Sequence, residues 1–232
     1  MRADASPQIA IGQPAVCEKK CKCEMNTDST RLVVVTGGPG AGKTAVLEMA
    51  KKIFCEHVVV MPESASIVFG GGFWRIQTPT ALTAAQRAIY HVQSEMENLV
   101  LNERRWSTAL CDRGTLDGLA YWGDGDARFW EMTHGKIEDE YAKYSMVIHL
   151  RSPSQQQGYN HQNPLRIENA AQAHALDEKI FRLWSQHPKY VMIESTMSFL
   201  DKAHLAIQEI KKSLPDCCRS IIAPVSGLSE VG

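Results

Sequence analysis

The sequence predicts an α/β fold: a five-stranded parallel sheet with helices on both faces. Three observations lead there. Short apolar runs alternate with segments of helical period. A glycine-rich turn sits between the first such run and the first helix. Polar residues of chemical interest cluster just after the runs, where parallel sheets bind ligands.

The first strand is Leu-Val-Val-Val-Thr at 32–36, apolar throughout as a strand covered on both faces should be. The helix after the turn places Val46, Leu47, Ala50, Ile53 and Phe54 on one face. The second strand spans 57–61. A long helix follows over 82–105, with Leu82, Ala85, Ile89, Val92, Met96 and Leu99 in steps of three and four, and Thr83 with Gln86 at capping-box spacing. Strands three and four fall at 107–111 and 145–150. A helix carrying Leu176, Ile180, Leu183 and Trp184 leads to the fifth strand at 190–194. The last helix opens at capping-box spacing with Ser198 and Asp201 and carries Leu200, Ala203, Ile207, Ile210 and Leu214. One domain over 31–214 is expected, with a disordered leader at 1–30 and a disordered tail at 215–232.

Gly37-Gly38-Pro39-Gly40-Ala41-Gly42-Lys43-Thr44 matches G-x-x-x-x-G-K-[ST] between strand and helix. Its backbone N–H groups and the helix N-terminus suit phosphates. Lys43 is assigned to the β- and γ-phosphates and Thr44 to Mg²⁺. This makes the expected fold a P-loop NTPase of the nucleotide-kinase type, with ATP or GTP and Mg²⁺ as cofactors.

The rest of the chain sorts among P-loop functions. A guanine-reading N-K-x-D is missing, and the third strand ends in Asp112-Arg113-Gly114-Thr115 rather than D-x-x-G. A motor would place Asp-Glu there. Asp-Arg is the arrangement of small-molecule kinases, with Asp112 near Mg²⁺ or the acceptor and Arg113 gripping a phosphate or acceptor group. Glu63, after the second strand, is placed to orient a hydroxyl and accept its proton. Either Glu63 or Asp112 is the base.

Phe-Gly-Gly-Gly-Phe-Trp-Arg at 69–75 is either an acceptor-gripping loop through Arg75 and its aromatics or a loop pinned in the core. Gln86, Gln93 and Glu97 lie on the polar side of the long helix. They are either a solvated face or the border of the acceptor site, with Gln93 assigned to the acceptor. Asp117 and Tyr121, one turn apart beside Trp122, line the same cavity or simply pack. The polar segment 151–168 is a candidate lid. Its Arg151 is assigned to the nucleotide and its Arg166 to transition-state charge.

The net charge of −1 gives no reason to expect a nucleic-acid partner. No apolar run approaches the roughly 18 residues of a membrane span, and the first residues lack the features of a secretory signal, so a cytoplasmic location is expected. Of seven cysteines, Cys55 and Cys111 fall in apolar patterns and read as buried thiols. Cys17, Cys21 and Cys23 form C-x3-C-x-C without a fourth ligand, and Cys217 and Cys218 read as tail residues.

The order of P-loop, Pro-Glu-Ser-Ala (62–65), Cys-Asp-Arg-Gly-Thr-Leu-Asp-Gly-Leu-Ala-Tyr-Trp (111–122), Asn-Pro-Leu-Arg-Ile-Glu (163–168) and Trp-Ser-Gln-His-Pro (184–188) resembles a known family. It is the AAA-like P-loop domain shared by NadR-type ribosylnicotinamide kinases and TRPL translocation-defect proteins. The resemblance covers about 32 to 212. It implies a kinase-like fold, nucleotide at 37–44, and Glu63, Asp112, Arg113 and Arg166 as pocket and lid residues. It does not imply a hexameric motor. The 30 leading residues leave no room for the upstream domain that NadR-type proteins often carry, so nicotinamide riboside is not carried over as substrate.

The expected activity is ATP- and Mg²⁺-dependent phosphoryl transfer to a small-molecule acceptor. The alternatives are a regulatory ATP- or GTP-binding module that binds a lipid or protein with little turnover, and an ATPase acting on a macromolecule.

Overall fold

The computed structural model describes residues 29–122, 126–153, 170–195 and 198–219. Five parallel strands, β1 (Arg31–Thr36), β2 (Val58–Met61), β3 (Thr108–Asp112), β4 (Tyr144–Leu150) and β5 (Tyr190–Ile193), stand in the order β2-β3-β1-β4-β5. The glycine-rich turn therefore leaves the central strand, where the chain crosses from one side of the sheet to the other. Register places Val35 beside Asp112 and Thr36 beside His149, so the functional strand ends are level.

Alternation along β1 divides the core. Val33 and Val35 face α1 (Lys43–Ile53) and α8 (Phe199–Ser213). Leu32 and Val34 face the other side, with Tyr90 and Val100 of α3 (Pro79–Glu103) and Ile180 and Trp184 of α7 (Ala170–Trp184). Successive strand side chains point to opposite faces, so an unbroken valine run serves both cores.

The long helix begins earlier than its apolar period suggests. Thr78 caps α3 by accepting from the Ala81 N–H at 3.3 Å, and Pro79 takes the first turn. Thr83 lies inside the helix. Ser198 caps α8 as expected, accepting from the Asp201 N–H at 3.4 Å. Two apolar assignments fail: Leu99 is 59% exposed and Leu200 70% exposed. The core side of α3 instead carries Gln86, Gln93 and Glu97, all buried.

Short helices α2 (Ser64–Gly70), α4 (Asp117–Ala120), α5 (Asp126–Thr133) and α6 (Ile137–Lys143) complete one face. Fully buried Phe129 of α5 packs edge-on against Tyr90 and Trp122. Past the boundary expected at 214, α9 (Asp216–Arg219) adds a helical turn whose Cys218 is fully buried. Cys218 is therefore a core residue, packed against the α1 side of the sheet.

Candidate active site

The glycine-rich turn takes its shape from positions where a side chain cannot fit. Gly37, Gly40 and Gly42 have φ of 134°, 79° and 92°. A Cβ on Gly37 would lie 2.0 Å from the Leu150 carbonyl oxygen. Lys43 opens α1 and folds back, donating to the carbonyls of Gly37 at 2.8 Å and Gly38 at 2.9 Å. Burial, helped by nearby Arg113, pushes its ammonium down to about 8. Among the described residues, no carboxylate is bound to it.

A carboxylate holds the turn from α7. Asp177 accepts from the Gly38 N–H at 2.7 Å and shares the same oxygen with His149 Nε2 at 2.9 Å. Ser152 Oγ donates to the Pro39 carbonyl at 3.0 Å, and Lys202 of α8 donates to the Ala41 carbonyl at 2.9 Å. Nothing in the sequence pattern marked Asp177 or Lys202, because each reaches the turn from a helix far along the chain.

The strand mouths form a charged cluster. Arg113 donates from Nε to Glu63 Oε1 at 2.7 Å, and from a terminal nitrogen to Asp117 Oδ1 and the Gly37 carbonyl, each at 3.2 Å. Its φ of 75° is unusual for a residue with a side chain. Asp117 is the hub beneath it. It also accepts from Thr36 Oγ1 at 2.5 Å, the Gly114 N–H at 3.1 Å and Trp184 Nε1 at 3.0 Å.

Burial tends to raise Glu63, but Arg113 and a hydrogen bond from Ser66 outweigh it and hold the carboxyl at about 2. Asp112 is raised, chiefly by burial, with Lys43 and Arg113 opposing. Its Oδ1 is buried and, among the described residues, has no hydrogen-bond partner.

These groups open into one cavity of about 1170 Å³ that runs from Lys43 and Thr44 past Glu63, Asp112 and Arg113 to Gln86 and Gln93. That is ample for a nucleotide and a small second ligand. Leu82, Ala85 and Ile89 form an apolar wall. Arg75 lies at the rim, its guanidinium 4.3 Å from the centre of the Phe69 ring, beside Trp74, which is 77% exposed. The loop at 69–75 thus borders the cavity rather than being pinned in the core. Thr44 and Asp112 bring hard oxygen donors to the same space, and the unpartnered Asp112 oxygen suits a hydrated Mg²⁺.

Gln93 and Glu97 sit deeper than a solvated face would. Gln93 Nε2 donates to Glu97 Oε1 at 2.8 Å and to the Arg113 carbonyl at 3.2 Å. Tyr144 donates to Glu97 at 2.7 Å. Burial raises the Glu97 carboxyl to about 7 despite these bonds.

Arg151 departs from its expected place. It pairs with Asp177 Oδ2 at 3.1 Å and with Glu178, and it does not line the cavity. Two acidic neighbours on α7 hold its guanidinium, one of them the Asp177 that also accepts from the Gly38 N–H. Arg166 and most of the expected lid lie outside the described residues.

Such a turn on the central strand of an all-parallel sheet, with paired carboxylates at neighbouring strand ends, defines a P-loop NTPase with a kinase-like fold. The AAA domain family model matches residues 32–201, and the chain belongs to that family. The crystal structure of NadR protein in complex with NR aligns with a TM-score of 0.61 and 14% identity, over 87% of this chain and 55% of that one. The chain thus spans about half the length of that structure's chain, and the likeness is one of fold. No curated protein matches the chain. Among the described residues no helix is long and apolar enough to cross a membrane.

Proposed function

We propose that this chain is an ATP- and Mg²⁺-dependent phosphotransferase acting on a hydroxyl of a small, partly planar acceptor. One observation carries the reading. A single cavity joins the phosphate turn to two carboxylates of opposite character, Glu63 held ionised by Arg113 and Asp112 raised by burial. A passive nucleotide sensor has no need of that second compartment.

Thr44 and Asp112 would hold Mg²⁺, which supplies charge neutralisation on the β- and γ-phosphates. Lys43 would exchange the Gly37 and Gly38 carbonyls for phosphate oxygens. The acceptor oxygen would attack the γ-phosphorus as the bond to the departing diphosphate breaks, and its proton would pass to a carboxylate. Glu63, ionised and facing the cavity, orients that hydroxyl. Its low basicity suits a loose transition state in which the proton moves late. Asp112 is the other candidate for the proton. Arg75, Arg113 and Gln93 would contact the acceptor, and Arg166 would add charge from the segment after β4. A cytoplasmic site of action accords with the absence of an apolar helix among the described residues.

A screen of nucleosides, nucleotides and sugars with labelled ATP and GTP tests the reading. Mg²⁺-dependent transfer to one acceptor class supports it. Tight nucleotide binding with no transfer to any acceptor would favour the rival, a regulatory nucleotide-binding module with little turnover.

A further inference from the structure

We propose that Cys55, His57 and Cys218 form a zinc site that ties the C-terminal helical turn to the body of the domain. The three donors come from two places 161 residues apart in sequence or more. Cys55 and His57 flank the turn between α1 and β2, and Cys218 lies on α9. They meet at the amino ends of the strands, opposite the phosphate turn, and none lines the nucleotide cavity. The proposal is therefore independent of the phosphotransferase reading.

The Cys55 and Cys218 sulfurs are 3.1 Å apart, and Cys218 Sγ is 3.5 Å from His57 Nδ1. All three donor atoms lie within 4.8 Å of one another. Cys55 is 4% exposed, His57 6% and Cys218 0%. Two sulfurs and an imidazole nitrogen are the donors zinc prefers. Tetrahedral bonds of about 2.3 Å to sulfur and 2.0 Å to nitrogen would set sulfur and nitrogen roughly 3.5 Å apart and the two sulfurs about 3.8 Å apart. The Cys218–His57 spacing already fits. The sulfurs must part by about 0.7 Å, which a side-chain rotation on the short α9 can supply.

Charge also balances. On binding, each thiol gives its proton to water, and the two thiolates neutralise the dication, so the buried site carries no net charge. His57 binds as the neutral imidazole. A disulfide between the cysteines would use the same sulfurs but would need no imidazole beside them. The convergence of all three groups favours the metal.

The test uses the full chain, reduced and then titrated with zinc alone. Zinc content and melting temperature are measured for wild type, Cys55→Ser, His57→Gln and Cys218→Ser. A control replaces Cys17, Cys21 and Cys23 together by serine. Wild type and control should retain zinc and melt higher with it, because the metal binds only the folded state. The three site variants should lose both effects. Peptide mapping of wild type after alkylation gives a readout that requires no variant to fold: zinc should protect Cys55 and Cys218. Zinc uptake unaffected by Cys55→Ser and Cys218→Ser would overturn the proposal. So would uptake confined to the three N-terminal cysteines, or reduced wild type whose Cys55 and Cys218 alkylate equally with and without zinc.

Discussion

The Arg113 guanidinium meets the Glu63 carboxylate at 2.7 Å across the mouths of adjacent strands β3 and β2. The pair links the phosphate turn, through the Gly37 carbonyl, to the part of the cavity proposed for the acceptor. Glu63→Gln keeps the shape and removes the charge that orients the hydroxyl. It should leave nucleotide affinity within a few-fold and slow transfer by roughly 10². Single-turnover rates on an identified acceptor measure this. A near wild-type rate would move the base to Asp112.

Lys43→Ala should abolish Mg²⁺-dependent binding of purine triphosphate, because no other described cation touches the carbonyls of both Gly37 and Gly38. Calorimetric titration of the folded variant is the measurement. Affinity equal to wild type would remove the triphosphate from the turn.

Asp117 accepts from a guanidinium, a hydroxyl, an indole and a backbone N–H. Asp117→Ala leaves these donors buried without their acceptor and should cost about 3–5 kcal/mol. Urea unfolding gives the number. A loss below about 1 kcal/mol would show that Arg113 and Trp184 find other partners.

Glu97 gives a pH signature. Its carboxyl stands at about 7 in the fold against 4.5 unfolded. Between those values the folded state holds a proton that the unfolded state has released. Stability from this group is therefore fully present below pH 4.5 and declines as pH rises toward 7, by about 3 kcal/mol at most. Glu97→Gln stays neutral throughout. Relative to wild type it should be more stable at pH 8 than at pH 5, read from denaturation midpoints. Parallel pH profiles for the two proteins would contradict a Glu97 carboxyl raised by burial.

The phosphate turn was legible in the sequence because eight consecutive residues make it, and its chemistry lies in backbone conformation. The strands were legible for a similar reason: a run such as Val33 to Val35 can be buried on both faces only inside a parallel sheet. Once the strands were placed, Glu63, Asp112 and Arg113 followed, since residues after a parallel strand open onto the ligand edge. Tertiary structure alone decided the rest. Gln86, Gln93 and Glu97 could be read as a solvated stripe or as the border of an acceptor site, since polarity in a helix says nothing about which neighbour covers it. Here the chain from β3 to β4 folds over that stripe, where Gln93 donates to the Arg113 carbonyl and Glu97 accepts from the Tyr144 hydroxyl. Arg151 looked like a phosphate ligand until α7 supplied two carboxylates. Asp117 beneath Arg113, Asp177 on Gly38, and Cys218 against Cys55 are pairings across turns of chain too long for any local period to encode. Local sequence sets which face a residue takes on its own helix or strand. Which other face it meets is set only when the whole chain closes around its two cores.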